Sequence, residues 1–211
     1  MNIFNKAYYE RPLLFGTNAT DELLYVIDKY NISGHALELG CGDGRDTKHI
    51  LDRGFSICAV EQSKYALDTL YNRKDISEEK KNLLSLVNDN VLNFVYHKEE
   101  YDFVYAITLF DHLSEDECGE LINKVIPSIK KGGYLFVKVH SVDDVGNTNQ
   151  QMGKSEFSSE IKHYFKHNEL LMLLLSKGQV IYYLESQEDD FDHGAPHKHS
   201  FASILIKKEN I

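Results

Sequence analysis

Short apolar runs alternate with amphipathic segments along most of the chain, which predicts alternating strands and helices. The strands predicted in this way are His35–Leu39, Phe55–Val60, Asn82–Val87, Tyr101–Leu109, Tyr134–Val139, Gln179–Glu185 and Ser200–Lys207. The predicted helices are Arg45–Asp52, Ser63–Arg73, Glu115–Ile129 and Asn168–Ser176. Because strands that alternate with helices form parallel βαβ units, this order predicts an α/β fold with a doubly wound sheet.

Three polar segments predict the turns and loops that join these strands and helices. Lys131–Gly133 predicts a turn, and the Asn-, Gln- and Gly-rich stretch Asp143–Ser159 predicts a loop or lid. Ser186–His199 joins the last two strands and shows no helix signal. Since parallel neighbours need a crossover, the seventh strand is predicted to run antiparallel to the others. The expected architecture is a seven-stranded mixed sheet with helices on both faces.

Composition and charge narrow the class of protein. The chain has 211 residues, of which 42% are hydrophobic, enough for the core of one α/β domain. A formal net charge of −10 without a basic stripe disfavours nucleic acid and anionic membranes as partners. Three cysteines without regular spacing predict reduced thiols in a cytoplasmic protein. We see neither a signal-peptide pattern nor an apolar run that could span a membrane.

A glycine-rich loop follows the first predicted strand and opens the first predicted helix. Its sequence, ELGCGDG at residues 38–44, places glycines at 40, 42 and 44. Glycines allow a tight turn and a close approach to a ligand. In open α/β sheets ligands bind at the carboxyl ends of the strands, where this loop is located. The GxGxG spacing lacks the GxGxxG of pyrophosphate binders, which disfavours an NAD-dependent oxidoreductase.

Three acidic residues stand where the cationic nucleoside S-adenosylmethionine (SAM) would need them. Glu38 directly precedes the glycines and suits the charged α-amino and sulfonium groups of SAM, which carries no phosphate. Glu61 ends the second strand, about 20 residues beyond the loop, where a carboxylate accepts both ribose hydroxyls. Asp89 follows the third strand and is placed to meet the adenine amino group.

The series ELGCGDGR, AVEQS and NDNV resembles that of class I SAM-dependent methyltransferases. It is most similar to the small-molecule enzymes related to tellurite-resistance and thiopurine methyltransferases, whose lead-in is similar to YERPLLFG at residues 9–16. The resemblance implies a Rossmann-like core at 35–211, covered by an N-terminal arm or helix at 1–34, within one domain. It also implies SAM-dependent methyl transfer (EC 2.1.1) to a small-molecule acceptor, by a monomer or homodimer.

The resemblance implies a cofactor site as well. Residues in this site lie in the glycine loop or just after the second, third and fourth strands: Glu38, Gly40, Cys41, Gly42, Glu61, Gln62, Asp89, Asn90 and Thr108. Thr108 would sit near the transferable methyl group. The sequence TLFDH at residues 108–112 replaces the Asn-Pro-Pro-Tyr of enzymes that methylate the amino groups of adenine or glutamine, which argues against that activity.

Candidate acceptor and proton-handling residues come from two regions. Tyr9, Arg11 and Asp111 are predicted to contact the substrate, and His112 follows the fourth strand, where methyl acceptors dock in such enzymes. The second region is the sequence DHGAPHKH at residues 192–199, which the antiparallel last strand would bring to the glycine loop. Its histidines, His193, His197 and His199, are predicted to act in catalysis together with His112.

Other interpretations stay open at this stage. The histidine cluster also fits a solvated polar loop or a metal site, but HxxxHxH is not a specific zinc spacing, so no metal ligand is predicted. The chain as a whole also fits a catalytically silent SAM-binding sensor or partner subunit of the same fold. Consumption of methyl groups separates an enzyme from a silent binder.

Overall fold

The structure, a computed structural model, describes residues 3–147, 160–190 and 197–209. His193 and residues 148–159 of the predicted lid lie outside the described residues, and so does the side chain of His197. No described helix is both long enough and apolar enough to cross a lipid bilayer.

The strands form one mixed sheet of seven in the order β3-β2-β1-β4-β5-β7-β6. They are β1 (His35–Leu39), β2 (Ser56–Glu61), β3 (Leu84–Asn88), β4 (Tyr101–Ile107), β5 (Ile129–His140), β6 (Gln179–Asp190) and β7 (His197–Lys207). Strands β1 to β5 pair in parallel, and β7 pairs antiparallel with both β5 and β6. The predicted Rossmann-like sheet with an antiparallel last strand is therefore confirmed.

Helices cover both faces of this sheet, because buried strand residues alternate between the two sides. The described helices are α1 (Ile3–Glu10), α2 (Asp21–Tyr30), α3 (Arg45–Asp52), α4 (Lys64–Tyr71), α5 (Glu78–Lys81), α6 (Glu115–Ser128) and α7 (Glu169–Leu174). Apolar side chains of α2, α3 and α4 pack around Ala36 on one face, and those of α6 and α7 pack around Leu37 on the other.

The turn predicted at Lys131–Gly133 is wrong, because these residues belong to β5. Ile129 already pairs with Tyr101, and the register then shifts before Phe103, so a bulge absorbs the extra residues. Gly133 accepts a backbone hydrogen bond from Lys208, which extends the ladder toward the chain's last strand. The composition of this segment is typical of a turn, and the strand with which it is associated is too distant in the sequence to be recognised from local patterns.

The predicted loop Ser186–His199 is also too long, because strand pairing continues well into it. Strand β6 runs on to Asp190, and β7 begins at His197. Glu188 pairs with His199, and Asp189 with Lys198, whose ammonium lies 3.7 Å from the Asp189 carboxylate. This ladder joins acidic residues to basic ones, so it lacks the apolar alternation from which strands are predicted.

An ion cluster around the buried Lys138 fixes helix α2 against the sheet. Lys138 of β5 donates hydrogen bonds to Glu22 of α2 at 2.9 Å and to Glu188 of β6 at 2.7 Å. The Lys138 side chain is buried. Breaking such a buried pair leaves an uncompensated charge, so the cluster favours one position for α2 beside the carboxyl edge of the sheet.

Candidate active site

The glycine loop leaves β1 in a conformation that only glycine adopts easily. Gly40, Gly42 and Gly44 have φ values of 70°, 54° and 84°. The amides of Gly40 and Cys41 both donate to the carbonyl of Val60, which ties the loop to the end of β2. A Cβ atom on Gly42 would lie 2.6 Å from the hydroxyl of Tyr8, so the loop has no room for a side chain there.

Glu61 ends β2 and supports the loop from the neighbouring strand. Its carboxylate accepts hydrogen bonds from the amide of Ser63 at 2.7 Å and from the amide of Gly42 at 3.1 Å. Burial raises the pKa of Glu61 above its usual value, although these amide donors oppose the rise. Carboxylate oxygens accept more than one hydrogen bond each, so Glu61 can hold the loop and a ligand together.

Glu38 is the second buried acid at the loop. Thr47 of α3 donates a hydrogen bond of 2.6 Å to its carboxylate. Burial nevertheless raises the pKa of Glu38 to about 8, against the effect of the Thr47 hydroxyl. A cation placed beside such a buried carboxyl stabilises its ionised form and lowers its pKa.

A cavity of about 240 Å³ opens between this loop, the carboxyl ends of β4 and β5, and the amino end of antiparallel β7. The N-terminal segment contributes one wall through Phe4, Tyr8 and Phe15. Acidic side chains outnumber the single arginine, Arg45, along the lining: Glu38, Asp43, Asp46, Glu61 and Asp144. Such a lining favours a positively charged ligand.

The far end of the cavity holds a histidine supported by a buried acid. His140 is the last residue of β5 and lines the cavity, while Asp111 is fully buried behind it. One Asp111 oxygen lies 2.8 Å from His140 Nδ1, and the other accepts the His140 amide at 2.9 Å. Burial alone lowers the pKa of His140, but the charge and hydrogen bond of Asp111 outweigh it and raise that pKa.

A second pair of the same kind lies beside the first. His199 Nδ1 lies 2.8 Å from a carboxylate oxygen of Asp144, which also accepts the amide of Ser200 at 3.0 Å. The register pairs His140 with Phe201, so His199 lies two residues away on the same face of the sheet. The rings of His140 and His199 are 5.2 Å apart. Two Asp–His pairs therefore face one end of the cavity.

Comparison with known proteins identifies the family. The family model described as "Tellurite resistance protein TehB" matches residues 3–182. The chain belongs to the TehB family. A relative from Haemophilus influenzae, named as a probable S-adenosyl-L-methionine-dependent methyltransferase TehB, is 25% identical over 174 residues. That match covers 82% of this chain and 57% of the relative, so this chain spans little more than half of its length.

Solved structures show the same fold. The crystal structure of TehB from Haemophilus influenzae has a TM-score of 0.71 at 20% identity, over 93% of this chain and 65% of that one. A 1,6-didemethyltoxoflavin-N1-methyltransferase from Burkholderia thailandensis, with bound 1,6-didemethyltoxoflavin and S-adenosylhomocysteine, has a TM-score of 0.68 at 14% identity. That match covers 98% of this chain and 86% of the other. The predicted resemblance to class I methyltransferases is confirmed.

Many of the residues predicted from the sequence of this TehB-family member meet at the cavity. Those that line it come from the glycine loop and from the ends of β2, β4 and β7: Glu38, Gly40, Cys41, Gly42, Glu61, Gln62, Thr108, His112 and His199. Thr108 has a φ of 49°, unusual for a residue with a side chain. His112 Nδ1 lies 2.9 Å from the carbonyl oxygen of Glu160.

Other predicted residues lie away from the cavity lining. Asp89 and Asn90 follow β3 and do not line the cavity, although the Asn90 side-chain amide donates a hydrogen bond of 3.5 Å to the side chain of Gln62, which does. Tyr9 is 65% exposed and packs against the Tyr65 ring, and Arg11 is exposed as well. Asp111 is fully buried, with both carboxylate oxygens committed to His140. It is therefore a residue that positions His140, not one that lines the cavity.

Sequence reasoning missed several residues of the site, His140 and Asp144 among them. His140 follows directly on the predicted strand Tyr134–Val139, so the argument that selected Glu61 at the end of β2 could have selected it. Tyr8 of the N-terminal segment is buried against Gly42 and lines the cavity, whereas its neighbour Tyr9 is exposed. Asp144 gave no signal, because its place at the cavity is fixed by His199, which lies 55 positions away in the sequence.

Proposed function

We propose that this protein transfers a methyl group from SAM to a small-molecule acceptor. The observation that carries the proposal is the cavity itself. The glycine loop lines one end through Gly40 and Gly42, two buried acids, Glu38 and Glu61, lie beside it, and two Asp–His pairs face the other end. Membership of the TehB family supports the same function.

The residues of the loop fit SAM in shape and charge. Gly42 has no room for a Cβ atom because the Tyr8 hydroxyl occupies that position, so the loop packs closely against the N-terminal segment at the edge of the cavity. We propose that Glu61 accepts the ribose hydroxyls, and that Glu38 faces the cationic methionine part. SAM supplies an activated methyl group on its sulfonium. The protein then has to align the acceptor, exclude water and, for a protic acceptor, take up a proton.

The acceptor is expected to bind among Phe4, His112, His140 and His199, at the end of the cavity away from the glycines. A cavity of about 240 Å³ is of the order expected for a small-molecule site. Soft acceptors such as thiols and chalcogen oxyanions need little help from a base. Alcohols and amines need more, and the two Asp–His pairs supply groups that can take a proton.

Calorimetric titration with SAM and with its demethylated product tests the cofactor. We expect micromolar binding by the wild type and loss of binding by Gly42→Ala, whose Cβ would meet the Tyr8 hydroxyl. The matched control is Gly54→Ala, because Gly54 has a φ of 83° but no atom within 4 Å of its Cβ position. Equal binding by both variants would contradict the placement of SAM at the loop.

A screen of small thiols, chalcogen oxyanions, alcohols and amines then tests catalysis, with formation of the demethylated product as the readout. An acceptor-dependent increase in that product supports the enzyme. Binding of SAM without turnover on any acceptor would instead favour the catalytically silent SAM-binding protein of the same fold.

Binding of SAM is expected to release a proton from Glu38. The pKa of about 8 means that Glu38 is mostly protonated at neutral pH before binding, and a neighbouring cation lowers that pKa. Affinity for SAM should therefore increase between about pH 6 and pH 7.5, by up to about tenfold per unit. The charge of Asp46 raises the pKa of Glu38 and that of Arg45 lowers it, so neither residue is substituted in the variants used for this test.

Calorimetry in two buffers of different ionisation enthalpy measures this proton directly. Glu38→Gln keeps an acceptor for the Thr47 hydroxyl and should abolish the proton release. Glu79→Gln, at an exposed position of α5, should leave it intact. The same proton release by Glu38→Gln and the wild type would show that another group titrates.

A further inference from the structure

We propose that His140, Asp144 and His199 bind a divalent transition-metal ion at the acceptor end of the cavity. Each of the three residues offers one ligand atom, and these atoms all lie within 4.8 Å of one another. All three residues line the cavity, and Asp144 and His199 are buried. The role given to this ion rests on the proposed function, whereas metal binding itself can be tested without it.

The surroundings of His140 support this assignment independently. Its Nδ1 lies 2.8 Å from the Asp111 carboxylate, which can only accept, so Nδ1 carries the hydrogen. The lone pair of the neutral ring is then on Nε2. Histidine ligands of metal ions are commonly held in this way, with one ring nitrogen on a buried carboxylate and the other on the ion.

Asp144 and His199 are held with similar rigidity. The Asp144 carboxylate accepts the amide of Gly146 at 2.7 Å and that of Ser200 at 3.0 Å, which fixes its plane. Its third contact is to His199 Nδ1 at 2.8 Å, and an ion held by both atoms would replace the hydrogen that this contact carries, as metal binding generally releases protons from its ligands. His199 and His140 come from paired strands, so the backbone sets their separation.

The donor set determines which ion is expected. Two imidazoles with one carboxylate favour zinc, iron(II), cobalt, nickel or copper, whereas magnesium and calcium prefer oxygen ligands alone. Three protein ligands leave at least one coordination position for a small molecule. An ion at this position would hold the acceptor through an oxygen, sulfur or nitrogen atom, and would lower the pKa of a protic acceptor.

The test uses the full chain with any affinity tag removed, freed of metal by a chelator and titrated with zinc by calorimetry. We expect one zinc per chain with a micromolar or smaller dissociation constant. His140→Ala and Asp144→Asn should each weaken this binding on the order of 100-fold. Cobalt in place of zinc should give visible absorption bands that both variants lose.

A second cluster in the described residues provides the matched control. Glu115, His163 and Glu169 also bring three ligand atoms together, but Glu115 is exposed and none of the three lines the cavity. His163→Ala should bind zinc as the wild type does. Loss of binding in His163→Ala, with retention in His140→Ala, would place the ion at the second cluster and overturn the proposal.

SAM titration of each variant separates this proposal from the proposed function and also reports whether the variant is folded. Variants that bind SAM normally but lose zinc support the metal site. A wild type that binds SAM without zinc at stoichiometric level would contradict the metal site and leave the methyltransferase standing. A wild type that binds zinc and not SAM would contradict the proposed function alone.

Discussion

Replacement of Glu61 by alanine should weaken SAM binding by at least about 100-fold, since each hydrogen bond to a charged group contributes roughly 1.5 to 3 kcal/mol. Two effects combine in this variant. The ribose hydroxyls lose their proposed acceptor, and the amide of Gly42 loses the carboxylate that holds the loop at 3.1 Å. Calorimetric titration of the variant with SAM measures the loss directly.

Two further substitutions serve as comparisons for Glu61→Ala. Glu61→Gln keeps one carbonyl oxygen but no negative charge, and we expect an intermediate loss of affinity. Glu79→Ala, on the exposed side of α5, removes a glutamate without touching the loop and should bind SAM as the wild type does. Wild-type affinity in Glu61→Ala would show that Glu61 supports the fold without contacting the cofactor.

Replacement of Asp111 by asparagine should lower kcat for methyl transfer on the order of 100-fold, with SAM affinity unchanged. The Asn carbonyl can still accept the His140 amide, but its NH₂ group then faces His140 Nδ1. The ring hydrogen must then move from Nδ1 to Nε2. The lone pair is left on Nδ1, which faces residue 111, so Nε2 can no longer act as a base or a metal ligand. Steady-state kinetics with an acceptor from the screen measures the effect.

Asp102→Asn is the matched control for Asp111→Asn. Asp102 lies near the start of β4, at the opposite edge of the sheet, and accepts the amide of His35 at 2.8 Å. It also pairs with Lys130. We expect a lower melting temperature in this variant and an unchanged kcat. Equal losses of kcat in the two variants, in proportion to their loss of folded protein, would show that Asp111 has only a structural role.

Local patterns determined the fold and half of the site. Apolar periodicity located the strands of the parallel sheet, because each strand buries its own side chains whatever its partner is. The glycines at 40, 42 and 44 and the acids Glu38 and Glu61 were identified because the carboxyl ends of parallel strands always meet at one edge. These inferences need only chain order and the geometry of βαβ units.

The other half of the site depends on contacts between residues distant in the sequence. Asp111 and His140 are 29 positions apart, and Asp144 and His199 are 55 positions apart. The Asp144–His199 pair follows from the antiparallel register of β5 and β7, and the Asp111–His140 pair from the parallel pairing of β4 with β5. Hydrophobic patterns encode neither register. The sequence by itself thus determined the fold and the cofactor loop and indicated His112 and His199, and only the tertiary structure decided that His140, Asp111 and Asp144 join them.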